Sequence, residues 1–177
     1  MHRDLTCCER LSEPEIRAKP KHGSGKLRIQ GARAALRLRA EDQEDLAVIS
    51  ACLQDALVAV ADLAYDPEAR SFMLVANRFR WDCTPSGGDG EFERILCGLS
   101  FEGVGRVAYR GFRRTERERI LALLAIRQDE TRRAIDLAFA GGATVRLNAA
   151  EIRCRLRDFG DPWPTSWQPD HPLEDRA

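Results

Sequence analysis

The chain has 177 residues, and its 28 basic and 28 acidic side chains leave a formal charge of zero. That length suits one domain with a real core plus tails, and the neutral balance lacks the basic excess usual in nucleic-acid domains. No histidine stands between His22 and His171 and no lysine follows Lys26, so most proton-transfer, Schiff-base and zinc chemistry is excluded from the body and an enzyme is not expected.

Residues 1–34 mix charges with Pro14, Pro20, Gly23, Gly25 and Gly31 and show no periodicity, which predicts a disordered amino-terminal extension. A strand over Leu36–Arg39 leads into a helix that Asp42 caps, with Leu46, Ile49, Leu53 and Ala56 recurring on one face. Glu41, Asp42, Glu44 and Asp45 resemble a metal-binding cluster in composition. Carboxylates at a helix amino terminus are more simply read as partners of its unpaired N–H groups and dipole.

The period then falls to two. Leu57–Tyr65 and Phe72–Trp81 read as strands joined by a turn over Asp66–Arg70, and a glycine-rich segment, Asp82–Glu91, reads as a hairpin loop. It lacks the G-K-[ST] and following helix of a phosphate loop. Phe92–Phe101 and Val104–Phe112 form the next pair of strands. Ile120–Arg127 suits a buried helix or a buried strand, and the alternation of Ile135, Leu137 and Phe139 downstream favours strand. After a Gly141-Gly142 turn and a strand over Thr144–Leu147, Asn148 and Glu151 predict a closing helix with Ile152, Leu156 and Phe159 on its inner face and Gly160 as its stop.

The expected organisation is an extension over 1–34, one α+β domain over 35–160 and a Pro/Trp tail over 161–177. Within the domain, an antiparallel sheet of about seven strands carries an N-terminal helix and a closing C-terminal helix. That is the outline of a pleckstrin-homology-like barrel; a flat sheet with two helices on one face fits nearly as well. Cys7, Cys8, Cys52, Cys83, Cys97 and Cys154 make no C-x-x-C pair, so neither a metal nor another cofactor is expected, and isolated cysteines point to a reducing compartment. With no apolar run near the roughly 20 residues needed to span a bilayer, the expectation is a soluble, cytoplasmic protein that makes no membrane contact.

Residues 36–56, Val60–Tyr65, Asn77-Arg78-Phe79 with Trp81, Phe139–Gly142, and Leu156-Arg157-Asp158 with Pro162-Trp163 together resemble an uncharacterised family of small alphaproteobacterial proteins, a domain of unknown function. The resemblance spans about residues 35–172 and implies a bacterial cytoplasmic protein with one small domain. It carries no catalytic residue over to this chain.

Two constellations are candidates for binding. Arg106, Arg110, Arg113, Arg114, Arg117 and Arg119, interleaved with Tyr109 and Phe112, could grip phosphates and stack bases, but Glu116 and Glu118 interrupt the run. Asn77, Arg78 and Trp81 could line a small-molecule pocket; the alternative is a tryptophan covering the barrel mouth while Arg78 pairs with a carboxylate of the acidic half, residues 35–93. Residues 35–93 carry 7 surplus acidic groups and residues 94–157 carry 7 surplus basic ones, which predicts pairing between the two segments or between two copies. Trp163 and Trp167 are expected to pack back on the body or on a second copy. A non-catalytic protein-interaction or scaffolding module is thus favoured, with a protein partner or self-association ahead of weak nucleic-acid or anion binding.

Overall fold

The alternation of inward apolar and outward polar side chains builds almost the whole molecule. The computed structural model describes residues 35–81, 92–129, 131, 133–167 and 169. The predicted extension over 1–34, the loop over 82–91 and the end of the tail lie outside the described residues.

In chain order the strands are β1 (Arg37–Ala40), β2 (Leu57–Ala59), β3 (Leu63–Asp66), β4 (Ser71–Phe79), β5 (Phe92–Glu102), β6 (Arg106–Arg110), β7 (Ile120–Gln128), β8 (Ala134–Phe139), β9 (Thr144–Asn148) and β10 (Cys154–Thr165), with one helix, α1 (Gln43–Cys52), between β1 and β2. They form one antiparallel sheet in the order β1-β10-β5-β4-β2-β7-β8-β9-β6, with β3 added beside β4.

Three expectations are overturned. The fold is not a balanced α+β domain of seven strands, because ten strands and a single α-helix are present among the described residues. Among the described residues the sheet also does not close: β1 and β6 end its path and β3 pairs with β4 alone, so the pleckstrin-homology-like barrel is not what this chain forms. Finally, the closing helix is absent. Cys154, Leu156 and Asp158 are buried while Arg155, Arg157 and Phe159 are exposed, a period of two that makes the segment a strand. Asn148 ends β9 rather than capping a helix. Gly160, at φ +73°, lies where the register of β10 against β5 shifts, between Phe159 and Trp163, and the strand continues past it.

Other expectations hold. Asp42 caps α1, its Oδ1 accepting from the Asp45 N–H at 2.9 Å, and Ile120–Gln128 is a strand. The Ile126 N–H donates to Ser50 Oγ at 2.8 Å, tying α1 to β7. Leu46, Ile49 and Leu53 then bury against Phe72, Leu99, Phe101, Leu123, Leu137 and Val145 in one apolar core, which supplies the main driving force for folding.

Candidate interaction surfaces

Pleating sends the odd-numbered residues of β4 and β10 to the outer face, away from the core. The cross-strand register there sets side chains in rows. Arg39 stands opposite Arg155, which stands opposite Ser100, then Met73; beside it run Arg37, Arg157, Gly98 and Val75; next come Phe159, Leu96 and Asn77. Met73, Leu96 and Phe159 are 47%, 37% and 42% exposed. The Phe159 ring leans over the backbone of Gly98, 3.8 Å from where a Cβ would stand. Exposed Phe159 on β10 and Leu96 on β5, with Val75 and Met73 farther along β4, thus share a face with four arginines on β1 and β10. Arg155 reaches Glu102 at 3.4 Å and Arg39 contacts Glu41, whereas Arg37 and Arg157 face each other with no ion pair described for either. Like charges directly opposite across a ladder are destabilising.

Of these residues only Asn77 was a binding candidate from sequence. The signal was present twice, as Arg37-Leu38-Arg39 and Arg155-Leu156-Arg157, each an alternating tripeptide with its leucine turned inward. Reading the second as helix hid it.

None of the predicted Asn77, Arg78 and Trp81 lines a described cavity, and the carboxylate that Arg78 meets lies outside the acidic segment of residues 35–93. Arg78 is 1% exposed and donates from Nε and Nη2 to Asp158 at 2.8 and 2.7 Å; its carboxylate partner therefore lies on β10. Asp158 Oδ2 also accepts from the Leu36 N–H at 2.9 Å, so the pair fastens the start of β1. Trp81 lies against Phe79, with centroids 4.6 Å apart, and donates its indole N–H to the Gln54 carbonyl at 3.2 Å. Asn77 is half-buried and its Oδ1 has no hydrogen-bond partner among the described residues. Beside it, buried Arg94 donates to the Asn77 carbonyl at 3.1 Å and lies under the Trp167 ring, 5.2 Å from its centroid. Trp167 touches the body through Arg94 but stays 56% exposed, while Trp163 lies within β10, half-buried.

The predicted arginine run is dispersed. Arg106 and Arg110 point outward from β6. Arg114 folds back, donating to the Leu63 carbonyl at 2.8 Å and the Tyr109 hydroxyl at 3.2 Å. Arg119 pairs with Glu116 at 2.9 Å, and Arg113 and Arg117 are exposed. The ion pairs described for residues 94–157 stay within that segment, as Arg119–Glu116, Arg146–Asp136, Arg153–Glu151 and Arg155–Glu102, while Arg94 also feels the charge of Asp55 in the acidic segment.

Arg110 does border a shallow cavity of about 290 Å³, shared with Ala108, Tyr109, Asp136, Thr144 and Arg146. Within it Asp136 holds Arg146 through two hydrogen bonds of 2.7 and 2.5 Å, raising the guanidinium pKa further, while Arg110 reaches only the Thr144 hydroxyl at 3.3 Å.

Burial pushes the Cys97 thiol up to about 12, against a partial opposing pull from Arg78, and pushes Cys154 up to about 12. Neither is a ready nucleophile at neutral pH. Among the described residues no three His, Cys, Asp or Glu side chains gather as a metal site, and no helix is long and apolar enough to cross a membrane.

A family model for proteins of unknown function, DUF2948, matches residues 36–171, from the residue before β1 to beyond the end of β10. The chain belongs to that family. No curated protein and no solved structure matched it. The family span includes β1 and β10, the two strands that carry the four arginines of the outer face.

Proposed function

We propose that this chain is a non-catalytic protein-interaction module that docks a partner on the outer face of β1, β10, β5 and β4. The observation that carries the reading is the exposed Phe159–Leu96 rung, with Val75 and exposed Met73 farther along the same face of β4 and arginines beside it. Interfaces concentrate aromatic, methionine and arginine side chains, and a surface patch that exposes apolar groups among polar ones marks a docking site. The partner this face fits presents apolar side chains at its centre and carboxylates toward Arg37 and Arg157. Solvated arginines can also lie on sheet edges simply to discourage aggregation. That role does not account for the exposed Phe159, Leu96 and Met73, which by themselves raise the aggregation risk. The setting we read is the cytoplasm of an alphaproteobacterium, supported by the sequence resemblance and by Cys52, Cys97 and Cys154 being free thiols.

Photo-crosslinking in cells tests the reading, with the reactive residue placed at Leu96 and, as control, at exposed Val48 on α1. A defined adduct at position 96 that vanishes in Arg155→Glu/Arg157→Glu is expected. Equal adducts at both positions, or adducts insensitive to the charge reversal, would refute it.

A further inference from the structure

Among the described residues β6 ends the path of the sheet and has β9 as its one ladder partner, so the other side of its backbone is left for an added strand. Its five residues alternate in burial, with Arg106, Ala108 and Arg110 exposed and Val107 and Tyr109 half-buried against the core. We propose that this edge binds an extended acidic peptide by strand addition, at a site separate from the sheet face described above.

The side chains specify what that peptide carries. A strand laid antiparallel on β6 sets two residues, four positions apart, opposite Arg106 and Arg110 on the outer face. No ion pair is described for either arginine, and Arg110 borders the cavity of about 290 Å³. Carboxylates at those two positions meet both guanidiniums. The position between them faces Ala108, and the two intervening side chains point inward beside Val107 and Tyr109, where apolar groups extend the core. The pattern is acidic, apolar, small, apolar, acidic. β6 itself, Arg-Val-Ala-Tyr-Arg, is that pattern with its charges reversed. A second copy pairing all five residues would therefore set each Arg106 against an Arg110, a like-charge contact that disfavours self-assembly at this edge.

A fluorescent peptide containing Glu-Val-Ala-Val-Glu between Gly-Ser flanks is the probe, with two analogues N-methylated at alternate residues, one for each edge of the peptide. N-methylation removes the ladder donors and leaves the carboxylates, so it separates strand addition from simple charge attraction. The expected result is saturable binding in fluorescence anisotropy, weakened roughly tenfold or more by one of the two N-methylation patterns and by Arg106→Ala/Arg110→Ala. Leu96→Glu/Phe159→Glu, on the other surface, should leave it unchanged. Equal binding of all three peptides, binding indifferent to Arg106→Ala/Arg110→Ala, or a charge-matched oligonucleotide binding more tightly than the peptide would overturn the proposal.

Discussion

Arg78 and Asp158 meet through two hydrogen bonds of 2.8 and 2.7 Å, with both side chains 1% exposed, and so join β4 to β10 across the intervening β5. The same carboxylate receives the Leu36 N–H. A buried pair of this geometry is costly to break and of small net value when intact, because removing one partner strands the other charge in the core.

Asp158→Ala and Arg78→Ala should each destabilise the fold by about 3–5 kcal/mol, whereas Arg78→Met/Asp158→Leu should fall much closer to the parent. Urea denaturation of the four proteins checks this. Single variants as stable as the parent would show that the pair is not isolated from water.

The thiols give a pH dependence with a definite sign. Cys97 and Cys154 are held protonated in the fold up to about 12, against an ordinary value near 9.0. In the unfolded chain they ionise first, so deprotonation favours unfolding as pH rises. Their contribution should be intact below pH about 9 and decline between about 9 and about 12. Thiol alkylation at pH 8 should leave both unmodified until denaturant is added. Rapid labelling of either residue in the native protein would contradict their burial.

How legible was this molecule in its sequence? Asp42 with Asp45, and the alternation of Ile135, Leu137 and Phe139, carried enough local information to place α1 and β8. The carboxyl-terminal strand was not legible in the same way. Its inward residues are Cys154, Leu156 and Asp158, and a buried aspartate breaks the apolar alternation that a strand normally shows. Only the long-range partner Arg78, 80 residues earlier, makes Asp158 an inward residue. The candidate surface was lost by the same error, since Arg155, Arg157 and Phe159 share a face only in a strand. Strand order was equally hidden: β6 follows β5 after three residues yet pairs with β9, a choice set by non-local packing.

A glycine contrast tests the corner that follows β6. Gly111 has φ +81°, and a Cβ there would lie 2.8 Å from the Ala143 Cα, whereas Gly103, at φ +75°, has open space around it. Both alanine variants incur left-handed backbone strain, but only Gly111→Ala also collides with backbone. Gly103→Ala should cost about 1 kcal/mol and Gly111→Ala more than about 2 kcal/mol. Thermal melts that rank the two in the opposite order would contradict this corner.

Docking of a protein on the outer face around Phe159 and Leu96 makes affinity depend on the Phe159 ring. The most direct measurement uses the partner captured at position 96, purified and titrated against the parent and Phe159→Glu by calorimetry. Phe159 is 42% exposed, so the variant should melt with the parent. Its affinity should fall by at least about tenfold, the scale of a lost interface anchor. Unchanged affinity at an unchanged melting temperature would contradict the account.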